Sequence, residues 1–318
     1  MLASTGHIDG RRLAARLAPV VDHPLTRFAP APTGQLHLGH VVNAVIVWGL
    51  ARALAGRVLL RIEDHDRQRA RPAFERGILD DLDWLGLAPD LYPTDAFRAG
   101  PCPSRQSERG EVYRAALEAL AARGLVYGCD CSRRQIEARR IARTGEPGEL
   151  HYPGTCRDRG LPLADGLGWR VRMDAGAVTF DDGLVGVVTH EPAGQCGDVL
   201  VRDRLGNWTY QWAASVDDWR QRVSLVIRGT DLLASTGRQI RLAALAGRPE
   251  PARFVHHPLV MKSATQKLSK SDGDTGVSDL RAAGWTPGRV LGAAAAAIGL
   301  RPAGGVLAAG DLGDLFAL

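Results

Sequence analysis

Lysine is almost missing from this chain. Of the 40 Lys and Arg side chains in 318 residues, three are lysines, Lys262, Lys267 and Lys270, all within residues 261–271. Everywhere else the positive charge is arginine, so a compact, rotatable ammonium is kept only in one short stretch, where a planar guanidinium fork would act differently. No apolar run approaches the length needed to cross a bilayer, so no membrane partner is expected. The first 21 residues carry Arg11, Arg12 and Arg16 but no continuous apolar core before a cleavage site, so a cytoplasmic protein without a secretory leader is expected. Five cysteines cannot all pair, and Cys129 and Cys131 stand two apart. A reducing compartment with a metal site fits that better than a disulfide framework.

What is present is ordinary for a soluble globular protein, 45% hydrophobic and 24% charged, and long enough for two domains. The formal charge of +5 and a pI near 9.2 favour a polyanionic partner without identifying it. There is no internal repeat or long low-complexity tract. Residues 1–22 read as an extension with a short arginine-bearing helical piece, and the sequence assigns it no function. Residues 25–30 read as a short strand that breaks at Pro30 and Pro32. The segment LHLGH at 36–40 then leads into Val41, Val42, Ala44, Val45, Val47, Trp48, Ala51 and Leu54, the dense apolar spacing of a largely buried helix. Residues 57–64, RVLLRIED, form an apolar strand ending in two carboxylates.

Strand, helix and strand in that order predict a parallel sheet with right-handed crossovers and ligands beyond the carboxyl ends of the strands. Arg27, the two histidines and Glu63 should therefore gather on one rim. An amphipathic helix follows at 74–85, closed by Gly86. Residues 100–204 are loop-rich, with one helix at 108–123 ended by Gly124, and read as an insertion between two halves of the sheet. The sheet is expected to resume at 208–214 and to continue with a strand at 222–229, a helix at 235–245 and a strand at 254–261. That strand enters the lysine stretch directly. An alanine-rich helix at 289–300 and a weakly patterned tail complete the chain.

His37 and His40 sit where a proline-rich loop enters a helix, the end at which backbone N–H groups and the helix dipole attract anions. Imidazoles there can bind phosphate oxygens and stabilise charge that develops as a phosphoryl bond breaks. Lys267 and Lys270, among Ser263, Ser269, Ser271 and Gly273, suit a loop that closes over phosphates from the opposite side. The combination describes in-line attack at an α-phosphate with pyrophosphate leaving, which needs no protein nucleophile. A solvated basic loop and two capping histidines are the plainer rivals, and the two segments together outweigh them. Lys262, five residues ahead of the second lysine, is given no role beyond attracting phosphates.

These residues carry a resemblance. PAPTGQLHLGH at 30–40 resembles the HIGH signature of class I aminoacyl-tRNA synthetases, and KLSKS at 267–271 resembles their KMSKS loop. RFAP at 27–30, RIED at 61–64, QSER at 106–109 with Tyr113, YQWA at 210–213 with Asp217 and Asp218, and IRGTD at 227–231 with Thr236 and RQI at 238–240 are similar to the glutamyl branch. The likeness covers residues 24–275. Only 47 residues follow Ser271 in this 318-residue chain, too few for the large anticodon-binding part of a discriminating glutamyl-tRNA synthetase. The chain therefore resembles the short paralogous family, the glutamyl-Q tRNA(Asp) synthetases. That resemblance implies activation of L-glutamate with ATP and Mg2+, and transfer to queuosine in the anticodon stem-loop of tRNA(Asp).

It also implies an architecture: an α/β class with a split Rossmann-type parallel sheet, an inserted zinc-containing tRNA-contacting subdomain and a short helical C-terminal segment. The divisions are an extension at 1–23, sheet halves at 24–99 and 205–262, the insertion at 100–204, and the KLSKS loop with the helical segment at 263–318. His37, His40, Lys267 and Lys270 match catalytic positions, and His37, Gly39, His40 and Lys270 match ATP contacts. Arg27, Phe28, Ala29, Pro30, Ala31, Glu63, Tyr210 and Arg228 match glutamate contacts. Glu63 suits the ammonium, and Arg27 and Arg228 the two carboxylates in either order. Ala31 stands where the family often has serine, so one hydroxyl contact is missing or replaced. Cys129, Cys131, Tyr152 and Cys156 resemble a zinc knuckle for one structural Zn2+, with His151 or water as alternatives to the phenol. Cys102 and Cys196 read as structural. A monomer is expected. The rival functions are a truncated glutamyl-tRNA synthetase charging tRNA(Glu), a small-molecule nucleotidyltransferase and a non-catalytic tRNA-binding paralogue.

Overall fold

A computed structural model describes residues 3–4, 6–139, 150–261 and 276–318. The chain starts with β1 (Ala3–Ser4) and α1 (Gly10–Leu17), whose N-cap Asp9 accepts from Arg12 N at 3.0 Å. Leu13, Ala14 and Leu17 of α1 are buried in the main core, and Arg16 pairs with Asp181 at its edge. The segment to which the sequence assigned no role is thus built into the body.

Next come β2 (Leu25–Phe28), α2 (Leu38–Ala53) and β3 (Arg57–Leu60), with β2 and β3 parallel and Phe28 opposite Leu60. Eleven of the sixteen residues of α2 are buried, as expected for a helix apolar on most sides. One side meets the strands. The other meets the C-terminal residues: a Cβ at Gly49 would stand 2.3 Å from the ring of Phe316, so glycine leaves the room that the ring occupies against the helix. Phe316 and Leu312 are fully buried there. The weakly patterned tail is a core element after all.

After α3 (Pro72–Leu85), ended by Gly86 at φ 73°, come α4 (Thr94–Arg98) and α5 (Gly110–Ala121). The next stretch holds β4 (Val126–Cys129), α6 (Arg133–Ala138), β5 (Gly168–Val171), β6 (Val178–Asp182), β7 (Gly186–His190), α7 (Pro192–Cys196) and β8 (Val199–Arg202). β4, β5 and β8 make a separate antiparallel sheet. The hairpin of β6 and β7 leaves that neighbourhood and joins a four-stranded, mainly parallel sheet through β6.

The remaining elements are α8 (Tyr210–Arg220), β9 (Leu225–Gly229), α9 (Thr236–Leu245), β10 (Arg253–His257), β11 (Val260–Met261), α10 (Val277–Ala282) and α11 (Pro287–Ala297). Residues 208–214 were expected as a strand, and from Tyr210 they are helical. Buried Trp212, Ala213 and Val216 recur at helical spacing, so Trp212 serves a helix face. β9, β10 and β6 are parallel, in the order β7-β6-β10-β9. β2 lies beside β9, joined where Ser224 N donates to Leu25 O at 2.9 Å. Farther along, the Arg27 guanidinium donates to Ile227 O at 3.1 Å. An arginine side chain occupies the seam between the two half-sheets, and the cleft opens there. β1 pairs antiparallel with β11. No helix among the described residues is long and apolar enough to cross a membrane.

Candidate active site

A cleft of about 570 Å³ opens beyond the carboxyl ends of β2, β3 and β9. Arg27, Ala29, Pro30, Ala31, His37, Gly39, His40, Glu63, Tyr210 and Arg228, ten residues proposed from sequence, line it together. Phe28 does not. Alternation along β2 turns its ring inward, 5.5 Å from Trp48 and 2% exposed. Lys262, Lys267 and Lys270 lie outside the described residues. Asn43 and His65 also line the cleft and escaped the sequence reading, because an isolated polar residue in a helix or loop carries no local pattern, and Asp231 of the IRGTD segment lines it too.

The LHLGH loop is set by its own histidines. Nδ1 of His37 accepts from Gly39 N at 3.1 Å, and Nδ1 of His40 accepts from His37 N at 3.1 Å. Two Nδ1 acceptors place the ring proton of each neutral imidazole on Nε2, so each ring is a donor on its far side. The ring centroids are 3.9 Å apart. The loop is also stitched to the chain beyond the lysine stretch, since Val277 N donates to Leu36 O at 2.8 Å and His37 bridges to Gly276.

The charged floor rests on two adjacent aspartates of α8. Asp218 accepts from Arg27 at 3.2 Å and from Arg61 at 2.6 Å. Burial alone would raise its pKa, but the Arg27 and Arg61 guanidinium groups hold the carboxyl down at about 2. Asp217, fully buried, accepts from Gln106 at 2.9 Å, Tyr113 at 2.8 Å and Arg109 at 2.5 Å. The QSER segment, Tyr113 and the paired aspartates are therefore one buried network beneath the cleft. Asp64 accepts from Ser107 N at 2.7 Å and caps that turn, whereas its neighbour Glu63 faces the cleft. Burial pushes the Glu63 carboxyl above its ordinary range, opposed by Arg61 at 3.4 Å. An ammonium arriving beside it would relieve that cost.

Arg228 differs from the other two arginines. Its partners are His256 Nε2 at 3.0 Å, Gln239 Oε1 at 2.5 Å and Thr236 Oγ1 at 2.8 Å, all neutral. Its charge is therefore left for an anion that enters the cleft.

Some distance away, Cys129, Cys131 and Cys156 bring their sulfurs within 4.8 Å of one another. Tyr152 Oη lies 3.4 Å from Cys129 Sγ and accepts from Cys156 N at 2.8 Å. Three sulfurs and a phenol oxygen at these separations fit a tetrahedral ion of zinc's size. His151 is not part of the group. Arg170 stacks on the Tyr152 ring at 3.6 Å and donates to Cys129 Sγ at 3.3 Å, favouring the thiolate that a metal needs. Cys102 and Cys196 are buried and unpaired by disulfide.

The family model of the tRNA synthetases class I (E and Q) catalytic domain matches residues 24–303. A glutamyl-Q tRNA(Asp) synthetase of Rhodobacter capsulatus is 41% identical over 279 residues, covering 83% of this chain and 96% of the relative. Glutamate–tRNA ligase 2 of Syntrophus aciditrophicus is 38% identical over 275 residues, covering 84% of this chain but 56% of that ligase. The solved glutamate-tRNA synthetase of Elizabethkingia anophelis superposes with a TM-score of 0.75 at 25% identity, covering 93% of this chain and 66% of that one. A half-sheet seam bridged by an arginine, a histidine loop at the head of a buried helix and relatives matched over most of both chains converge on one assignment: the chain belongs to the class I tRNA synthetases of the E and Q group, and within it to the glutamyl-Q tRNA(Asp) synthetase family.

Proposed function

We propose that this protein is a ligase that activates L-glutamate with ATP in the cleft and transfers it to queuosine in the anticodon stem-loop of tRNA(Asp). The observation that carries the reading is the charge layout of one cleft. Two guanidinium groups and one carboxylate, Arg27, Arg228 and Glu63, face a space whose other end is the His37 and His40 loop. That layout complements an amino acid with two carboxylates and one ammonium beside a triphosphate.

In the first step an oxygen of the glutamate α-carboxylate attacks the α-phosphorus of ATP, and the bond to pyrophosphate breaks in line. His37 and His40 donate from Nε2 to the phosphate oxygens that gain charge. Lys267 and Lys270 hold the departing pyrophosphate from the other side. Mg2+ bound with ATP supplies further neutralisation of the phosphates. In the second step a queuosine hydroxyl attacks the acyl carbon, forming the ester and releasing AMP. Arg27 and Glu63 orient the α-amino and α-carboxyl end, and Arg228 with Tyr210 receives the side chain. Ala29, Pro30, Ala31 and the backbone of Phe28 wall the amino acid, and Gly39 lets the nucleotide approach the loop.

In the same reading Cys129, Cys131, Tyr152 and Cys156 hold one structural Zn2+ that ties the antiparallel sheet of residues 100–204 together for contact with tRNA. The protein works as a cytoplasmic monomer. Incubation with ATP, labelled glutamate and tRNA from a queuosine-containing host should label tRNA(Asp). The label should be missing from tRNA without queuosine, and tRNA(Glu) should stay uncharged. Charging of tRNA(Glu) at its 3′ end would overturn the assignment.

A further inference from the structure

We infer that Asp182 and His256 are positioning residues for Arg228, holding it as a charged fork that selects a carboxylate over a carboxamide at the glutamate side chain. This deepens the proposed function and rests on it. His256 is 1% exposed and Asp182 fully buried. Asp182 Oδ2 lies 2.7 Å from His256 Nδ1, and the same carboxylate accepts from the backbone of Leu184 and Val185 at 3.0 Å each. The β6 to β7 turn thus immobilises Asp182, and Asp182 in turn fixes the ring.

The tautomer follows from the partners. Arg228 Nε is always a donor, so at 3.0 Å His256 Nε2 must be an acceptor. The ring proton is therefore on Nδ1 and directed to Asp182. Burial pushes the His256 pKa below its ordinary value, which keeps Nε2 unprotonated. The result is a carboxylate, a neutral imidazole and a guanidinium in series. The aspartate orients the arginine through the ring without neutralising it by contact.

That separation is what gives selectivity. Arg27 and Arg61 share Asp218 directly, and part of their charge is already answered. Arg228 spends three of its five N–H groups on His256, Gln239 and Thr236. Tyr210, on the cleft side, also bonds Arg228, so an arriving ligand meets the rest of the guanidinium beside that hydroxyl. Parallel guanidinium donors fit a carboxylate, but oppose the amide hydrogens of glutamine. Were a carboxylate in direct contact with Arg228, that preference would weaken.

The charged and titratable groups around the ring are Asp182 from β6, His190 from β7, Arg228 from β9, Arg27 from β2 and neighbouring His257. None but Asp182 favours a proton on His256. When acid does protonate Nε2, it becomes a donor facing a donor, and Arg228 must move.

The test is glutamate-dependent ATP–pyrophosphate exchange with the purified protein, measured against pH, with glutamine as competitor. His256→Leu removes the acceptor, and the glutamate KM should rise about tenfold or more while the ATP KM holds and kcat falls far less. His256→Gln supplies a non-titrating acceptor to Arg228, and should recover most of that loss while flattening the rise of glutamate KM at acid pH. Asp182→Asn should admit the other tautomer, as in the known serine-protease case where the same replacement misorients a histidine, and narrow the preference for glutamate over glutamine. Unfolding temperatures near the parent's identify folded variants. Should Asp182→Asn and His256→Leu misfold, His256→Gln alone decides through its pH profile. Parent activity with glutamate KM, pH profile and glutamine discrimination unchanged in the folded variants overturns the inference alone. No glutamate-dependent exchange by the parent overturns the proposed function and this inference with it.

Discussion

Buried carboxylates in this protein take opposite roles according to their partners. Glu63 is held above its ordinary pKa by burial, a rise that Arg61, 3.4 Å away and shared with Asp218, opposes without cancelling. Its charge is tolerated for the ligand rather than for the fold. Glu63→Gln should therefore raise the glutamate KM about 10- to 100-fold, the value of one charged hydrogen bond, with the ATP KM little changed. Steady-state exchange assays would show it, and equal loss for both substrates would argue against the ammonium contact. Asp81, on α3, is a second case. Burial and nearby Asp80 push it up to about 7, and among the described residues its Oδ2 has no hydrogen-bond partner. The folded chain keeps a proton there that the unfolded chain releases near pH 4. Stability should therefore fall as pH rises from about 4 to 7 and stay low above that window. Asp81→Asn should flatten this slope and stabilise the protein at pH 8 by roughly 2 kcal/mol, read by urea titration at both pH values. Asp218 works the other way, adding stability above pH 4 that is lost as pH falls toward 2.

At the scale of elements, what sequence reading could reach was whatever repeats locally. The buried helix after LHLGH, the apolar strand from Arg57 and the glycine-closed helix at Leu85 all have internal periods, and the structure has each of them, the strand ending at Leu60 rather than at 64. The β6 and β7 hairpin lies within residues read as an insertion, yet β6 pairs with β10, about seventy residues later. Nothing local encodes such a contact. Asp182 and His256 were missed for the same reason, although two histidines in an otherwise apolar strand were a usable signal. Residues 208–214 failed differently: Trp212, Ala213 and Val216 fall on one buried helix face, a spacing that the strand reading did not use.

The cysteine cluster was legible, since Cys129 and Cys131 stand two apart at the end of β4, and Tyr152 arrives by a longer route. If the four residues bind zinc, metal analysis should find about one ion per chain. Cys131→Ser should lose most of it and His151→Ala none. Because β4 carries Cys129, strong chelation should lower the unfolding temperature and expose residues 126–171 to protease first. A metal-free parent with intact protease resistance would refute the knuckle.

On the scale of the whole molecule, the N-terminal segment and the C-terminal residues close around the catalytic sheet. Gly49 receives Phe316, and α1 inserts Leu13 and Leu17 beside β10 and the β6 to β7 turn. The ends of the described chain on either side of residues 262–275 are anchored to different partners. On the entering side β11 pairs with β1, Ala3 opposite Met261. On the leaving side Val277 N and Gly276 are bonded to Leu36 and His37 of the histidine loop. The described residues flanking 262–275 are thus held at the N-terminal strand on one side and at the histidine loop on the other. Removing residues 1–6 takes away only the first tether. Positioning of the ammonium groups should loosen while the glutamate end of the cleft, built on β2, β3 and β9, is untouched. The truncated protein should show a several-fold higher ATP KM, an unchanged glutamate KM and a modest fall in unfolding temperature. Leu13→Ala should instead lose about 2 to 4 kcal/mol of stability from the cavity it leaves, and affect both substrates only through the folded fraction. Opposite outcomes, with the truncation neutral for ATP or the core variant selective for it, would show that β1 does not steady the entry to the lysine stretch.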